Sequence, residues 1–220
     1  MRQGDVCGPC FADIQFITDP MCVCCGHPFP FEVEGEALCA QCQRETPPFD
    51  QARSAMVYND KSRTMLLPFK NDHTLGHKRF SSWCHMALGE AIAGADLIVP
   101  VPLHVTRLRQ RGYNQAVLLA RSLSKRIAGR LVVDGLERTR ATPKQQDLSR
   151  SARLKNVRGA FRVSPKNKPL IVGRHVILVD DVMTTGATVE ACAKALKKAG
   201  AQKVSVVTVA RVVQNEDDLI

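Results

Sequence analysis

Residues 177–188 read "ILVDDVMTTGAT": an apolar run, two adjacent aspartates, then two threonines, a glycine and a further threonine. The apolar positions are consecutive, so the stretch 175–181 predicts a strand buried on both faces of a parallel sheet. Asp180 and Asp181 stop that run at the carboxyl end of the strand, the edge at which open α/β sheets bind ligands. Thr184, Thr185, Gly186, Ala187 and Thr188 then turn the chain into a helix N-terminus. Unpaired amides of a first helical turn, aided by the helix dipole, make a phosphate cradle. Gly186 lets the main chain come close, and the threonine hydroxyls can donate to phosphate oxygens. Two carboxylates would repel that same phosphate. They suit what lies further along a sugar phosphate: vicinal hydroxyls, or a hard cation such as Mg²⁺ bound to them. The plainer alternative is an ordinary strand-to-helix turn capped by Asp and Thr.

Outward from this stretch, strands alternate with helices. A helix is predicted over 187–199, with Val189, Cys192, Ala193 and Leu196 on one face, Glu190, Lys194 and Lys197 opposite, and Gly200 as its stop. "KVSVVTVAR" (203–211) reads as the next strand. Upstream, "ARSAMVY" (52–58) and "DLIVPVP" (96–102) read as strands, and "LVVDGLER" (131–138) as a further one. Helices are expected over 79–93, where Trp83, Met86, Ala87 and Glu90 recur at helical spacing, and from Gly112 to about Gly129 on Ala116, Leu119, Ala120, Leu123 and Ile127. The run from Thr139 to Arg158 is polar and basic and reads as a long loop followed by a short helix. The alternation predicts a doubly wound, mostly parallel α/β domain.

The chain has 220 residues, 45% of them hydrophobic and 24% charged, which suits a soluble globular protein. No segment approaches the ~20 apolar residues of a membrane span, so no membrane insertion is expected. The start, "MRQGDVCGPC", lacks a basic-then-apolar signal region, so a cytoplasmic protein is expected. Pro47 and Pro48 break regular structure where the composition shifts, which places a boundary between a Cys-rich domain, 1–48, and a second domain, 49–220. The net charge of +10 is unevenly spread: residues 1–50 carry a balance of −6, residues 107–168 one of +14. A basic stretch beside an aspartate pair suggests a phosphate-rich ligand or a nucleic acid, against the simpler reading of a solvated basic face.

Seven of the nine cysteines lie in the first 42 residues. An odd number, without an export signal, argues against a disulfide framework. Cys22-x-x-Cys25 and Cys39-x-x-Cys42, separated by thirteen residues, have the spacing of a tetrahedral structural Zn²⁺ site that folds a segment too small for its own core. Cys7 and Cys10, in "CGPC", spell a thioredoxin-type pair, but only six residues precede Cys7 where a redox pair wants a strand. They are expected to join the metal centre or to be remnants of a second one, and the place of Cys24 is open. Cys84, Cys192 and Trp83 read as core residues. His73 and His77, in "NDHTLGH", read as a surface loop and not as ligands.

"VILVDDVMTTGAT" resembles the phosphoribosyl-pyrophosphate signature of type I phosphoribosyltransferases along its whole length. "VPVPLHVTRLRQRGYNQA" together with "RTRATPKQQDLSRSARLKNVRGAF" resembles, more narrowly, the ComF (competence protein F) family, which couples a cysteine-rich zinc domain to a phosphoribosyltransferase-like domain. That resemblance runs from Cys7 to Arg211. It implies that Asp180 and Asp181 hold the ribose hydroxyls with Mg²⁺, and that residues 184–188 hold the 5-phosphate. It makes "PLHVTRLRQRGYNQ" the pyrophosphate loop, with Arg107, Arg109 and Arg111 as its charges. A mobile loop belongs at 140–150, with Lys144 and Arg150 as its charges. The implied chemistry is displacement at the ribose anomeric carbon. No residue stands out as a general base, so no catalytic residue is assigned. Only nine residues follow 203–211, too few to build a hood over an acceptor, so a hood is expected from the first 95 residues. The alternative implied by the family name is a non-catalytic protein that binds single-stranded DNA and phosphate during DNA uptake.

Overall fold

A computed structural model describes residues 6–71, 76–141 and 150–213. Its centre is a five-stranded sheet of β1 (Gln51–Val57), β2 (Leu97–Pro100), β3 (Arg130–Leu131), β6 (His175–Met183) and β7 (Lys203–Arg211), in the order β1-β7-β6-β2-β3. Every neighbouring pair in it is parallel. Two further strands, β4 (Leu136–Arg138) and β5 (Phe161–Val163), form a small antiparallel pair of their own.

The sheet is buried on both faces because successive side chains of a strand point to opposite sides. On β6, Ile177 and Val179 join a core with Phe69, Phe80, Trp83, Leu119 and Leu123. These come from α3 (Asp60–Asn71), α4 (His77–Leu88) and α6 (Gln115–Leu123). Val176 and Leu178 face the other way, into a core with Val189, Cys192 and Leu196 of α9 (Ala187–Lys198) and with Leu136 and Phe161 of the small pair. Val157 of α7 (Arg150–Val157) and Ile171 of α8 (Lys168–Ile171) complete that second core.

Several expectations shift. Ahead of the helix expected from Gly112 stands one that was not anticipated, α5 (Val105–Arg111), which ends at Gly112, whose φ of +76° suits a residue without Cβ. A new helix, α6, then starts under an Asn114 cap and stops at Leu123 rather than at about 129. The stretch 131–138 is two elements, one in the central sheet and one in the small pair. α3 was not anticipated; it is polar and carries Pro68 inside. Met86, expected on the core face of α4, is 72% exposed, whereas Phe80, Trp83, Cys84 and Leu88 are buried. His77 is the first residue of α4 and not part of a loop, while His73 lies outside the described residues. Trp83, Cys84 and Cys192 are core residues, as expected. Burial alone pushes the Cys84 thiol up to about 12.

The amino-terminal segment, with short helices α1 (Gly8–Ala12) and α2 (Ala40–Arg44), lies along the sheet edge. β1 is an edge strand, and residues 14–17 cover its open side: Ile17 N donates to Ala55 O at 3.0 Å and Val57 N to Gln15 O at 2.9 Å. Ala52 N donates to Cys24 O, so the cysteine knuckle is tied to the same strand.

Candidate functional site

In an open parallel sheet the ligand crevice opens where successive connections leave in opposite directions. Here that point lies between β2 and β6: after β2 the chain moves outward to β3, and after β6 it moves the other way to β7. Pro100 pairs with Val179, and Val101 N donates to Val179 O at 2.8 Å. The segment entering α5 therefore starts beside Asp180, and the two sequence motifs flank one crevice.

On the β6 side, both aspartates are half-buried and still within the strand, which runs on to Met183. Asp181 N donates to Asp180 Oδ1 at 2.9 Å and Val182 N to Asp181 Oδ1 at 2.8 Å, so each carboxylate is steered by the following amide. A small open cleft is lined by Asp180, Val182, Met183, Thr184, Gly186 and Thr188. Gly186 is the N-cap of α9, with φ of +82° and, as a glycine, no side chain of its own to cap the helix amides. The Thr185 Oγ1 atom is buried and makes no hydrogen bond. An uncapped helix N-terminus beside a buried, unpartnered hydroxyl can satisfy a tetrahedral oxyanion, which accepts from amides and hydroxyl together.

One neighbour of the turn was not anticipated as such. Glu190, read from periodicity as part of the polar face of α9, is only 7% exposed. A Cβ on Gly186 would lie 3.2 Å from Glu190 Oε1, so this carboxylate stands against the cradle.

On the β2 side, His104 caps α5 by accepting from Thr106 N at 3.3 Å. The three arginines sit on this helix, not in an irregular loop. Arg107 is half-buried, whereas Arg109 and Arg111 are exposed and Arg111 Nη1 donates to Gln115 Oε1 at 3.3 Å. Lys144 lies outside the described residues, and Arg150 begins α7 with its side chain outside them. A cation missed by sequence reasoning takes a central place: Arg138, at the end of β4, has its guanidinium carbon 5.2 Å from the Phe161 ring centroid. Burial, then the like charge of Arg107, pulls it below the usual arginine range, while Cys192 and Asp180 act the other way. The signal that could have found it is its place at the head of "RTRATPKQQDLSRSARLKNVRGAF", inside the basic stretch 107–168.

The cysteine site is the second constellation. The sulfurs of Cys22, Cys25, Cys39 and Cys42 lie within 4.8 Å of one another, and Cys25 Sγ is 3.6 Å from Cys39 Sγ. Tetrahedral Zn–S bonds of ~2.3 Å put sulfurs roughly 3.8 Å apart, so the four fit a zinc ion. Cys25 N points at Cys22 Sγ at 3.4 Å, a donor suited to a thiolate ligand. Four packed thiols do not all ionise by themselves. Hydrogen bonds from Cys25 and Cys39 lower Cys22, the hydrogen bond to Cys22 raises Cys39, and burial raises Cys42. A divalent cation at their centre removes that conflict. Cys7 and Cys10 stand outside this cluster on α1. Cys24 is half-buried beside Cys42, its thiol raised by burial. Among the described residues no helix is long and apolar enough to cross a membrane.

Comparison with known proteins gives a family for each part of the chain. Residues 113–218 match the phosphoribosyl transferase domain, and residues 1–43 match the double zinc ribbon domain. The chain is 30% identical over 192 residues to the DNA utilization protein YhgH of Escherichia coli K12, covering 84% of this chain and 82% of that one. It is 29% identical to competence protein F of Haemophilus influenzae, over 96% of this chain and 92% of the relative. Competence protein ComFC of Bacillus subtilis is 29% identical over 89% of this chain and 79% of its own length. A phosphoribosyltransferase-type domain behind a zinc ribbon, with relatives matching over most of both lengths, makes this chain a member of the ComF family.

Proposed function

We propose that the crevice between β2 and β6 binds phosphoribosyl pyrophosphate with Mg²⁺, and that the chain is a phosphoribosyltransferase. The observation that carries this reading is the uncapped start of α9, with the buried Thr185 hydroxyl beside it and two carboxylates one step up the strand. In this reading the turn 184–188 takes the 5-phosphate. Asp180 and Asp181 take the ribose diol, and their charge suits a Mg²⁺ shared with the diphosphate. Cationic side chains from α5 meet the charge that develops on the leaving group. Mg²⁺ would supply further neutralisation of that charge.

Isothermal titration with phosphoribosyl pyrophosphate and Mg²⁺ tests the reading. Uptake should raise the melting temperature, with ligand at a hundredfold its Kd adding about 2.7 kcal/mol of stability. Asp181→Asn should abolish the effect. No uptake by the wild-type chain would remove the proposal. Pyrophosphate release measured across a panel of bases and amines then separates a transferase from a binder.

A second reading, DNA binding, is favoured by a groove between α7 and α9 that shares Ala187 and Glu190 with the 184–188 turn. Lys155, Arg158, Lys194 and Lys198 line it, above a floor that includes Ala191 and Ala195. Four cations against two carboxylates, Glu45 and Glu190, leave the groove with a net positive lining, which suits a polyanion such as single-stranded DNA. Such binding should weaken steeply between 50 and 200 mM salt, on the order of tenfold or more. Salt-insensitive or absent binding would rule it out.

A further inference from the structure

The acidic and basic parts of the chain each end in a surface feature, and the two match. Between the cysteine pairs of the zinc cluster, residues 30–36, "PFEVEGE", form a largely exposed loop. Its base is held on both sides: Phe29 N donates to Pro20 O at 2.9 Å and Val23 N to Ala37 O at 3.0 Å. Gly35 turns the loop with φ of +70°, and a Cβ there would meet nothing within 4 Å, so the tip stands clear of the body. Phe31 is 61% exposed, with its ring stacked 5.8 Å from that of Phe29. Glu32, Glu34 and Glu36 are exposed, and among the described residues none of the three has an ion-pair partner.

The groove between α7 and α9 carries the opposite pattern. Lys155 and Arg158 stand on one side and Lys194 and Lys198 on the other, over an apolar floor that includes the buried Val157 and Phe161. Among the described residues none of these four cations is ion-paired, whereas Lys197, on α9 but outside the groove, reaches Asp50 at 2.7 Å. No residue of the 30–36 loop lines the groove, so the two features do not meet within one chain.

We propose that the α7–α9 groove is a docking surface for the 30–36 loop of a second copy of this chain. Phe31 covers the apolar floor, and the three carboxylates face the unpaired cations. The tied base means that little loop freedom is lost on docking. Each copy presents both a loop and a groove, so the contact is head-to-tail and does not stop at two copies unless a ring closes. The net charge of +10 repels copies at long range, but at about 150 mM salt a Debye length of ~8 Å screens that repulsion more than pairs in contact. A seven-residue loop buries less than the ~1,200 Å² of stable complexes, so the association is a weak one. The inference goes beyond both readings of function and needs neither.

Sedimentation of the full zinc-loaded chain tests it. The weight-average mass should rise with concentration between about 10 and 300 μM, the range of a small interface. Two variants reverse the charges: Glu32→Lys with Glu34→Lys and Glu36→Lys on the loop, and Lys194→Glu with Lys198→Glu in the groove. Each alone should stay monomeric. Mixed in equal amounts, the reversed loop meets the reversed groove and the unaltered loop meets the unaltered groove, so the mixture should regain the wild-type association. Phe31→Ser keeps every charge and should weaken association at least threefold. A mixture that stays monomeric although both variants keep the wild-type melting temperature overturns the proposal. Association untouched by the reversals places the contact elsewhere and overturns it too. A wild-type chain that is monomeric throughout also sinks it, and leaves the groove to a polyanion.

Discussion

Gly186 carries two demands at once, and they explain why no other residue serves at that position. Its φ of +82° is strained for any residue with a Cβ, and that Cβ would press on Glu190 Oε1 at 3.2 Å. Gly186→Ala is expected to cost about 1–2 kcal/mol of stability, read from urea midpoints, and to weaken phosphoribosyl pyrophosphate at least tenfold by titration. Glu190 acts on the same turn in the opposite sense. A carboxylate in the first turn stabilises the helix dipole but repels an arriving phosphate. Glu190→Gln should therefore tighten binding of an anion several-fold at low salt, and equal or weaker binding would show that the carboxylate is turned from the ligand. Cysteine chemistry is also set residue by residue. Cys7 is the N-cap of α1, and hydrogen bonds from the Cys10 backbone and thiol lower it, whereas the hydrogen bond to Cys7 raises Cys10. In the zinc-loaded chain, iodoacetamide followed by peptide mass analysis should label Cys7 first. Labelling of Cys22, Cys25, Cys39 or Cys42 at the same rate would contradict a metal held by those four.

At the scale of elements, what could be read in advance was what periodicity and consecutive apolar residues encode. β6, β7 and α9 are legible because Val176–Val179 and Val204–Val209 are apolar or small throughout, and because Val189, Cys192, Ala193 and Leu196 form one helical stripe. The strand that carries the β6 half of the crevice was legible for the same reason, whereas the segment after β2 was assigned through the family resemblance. Two helices were harder: α5 is short and basic and ends at Gly112, and α3 hides behind polar residues and Pro68. Arg138 opens the quoted stretch 138–161, but its burial was not legible because its neighbours come from afar, with Phe161 twenty-three positions on and Asp180 further still. Element ends also carry a pH response. β6 begins at His175, which is buried, with Nε2 2.9 Å from Ser205 Oγ of β7. Burial, then the charge of Lys203, lowers its pKa below the ordinary 6.5. The unfolded chain therefore takes up the proton first. His175 contributes stability that is complete above about pH 6.5 and is lost as pH falls through the folded value. Urea midpoints at pH 7.5 and 5.5 should differ more for the wild type than for His175→Asn. Equal slopes in the two proteins would remove His175 as a cause.

For the whole molecule, the question is whether the zinc segment is an appendage or part of the body. Cys22, Cys25 and Cys42 share one hydrophobic cluster with Phe49, Ala52, Val204 and Val206, so the proposed boundary near residue 48 is crossed by packed side chains. Hydrogen bonds cross it as well: Arg53 Nη1 donates to Val23 O at 3.1 Å and Arg211 Nη1 to Cys25 O at 2.5 Å. Arg211 is buried at the end of β7, opposite Met183 in the register, and its Nε makes no hydrogen bond. A buried guanidinium needs negative charge close by, and a zinc ion with four thiolates carries a net charge of −2 beside the Cys25 carbonyl. Zinc, knuckle and the end of β7 are thus coupled, and β7 lies directly beside the strand that carries the aspartates. Removing zinc with a strong chelator at pH 7.5 should lower the melting temperature of the whole chain in one transition, since the knuckle has no core of its own. Phosphoribosyl pyrophosphate affinity should fall with it, through the loosened end of β7. Arg211→Lys, which keeps the charge but not the reach to Cys25 O, should reproduce part of both losses, about 1–3 kcal/mol in stability, in the zinc-loaded protein. A separate low-temperature transition of the first 48 residues, with ligand affinity intact after chelation, would show instead that the two parts are thermodynamically independent.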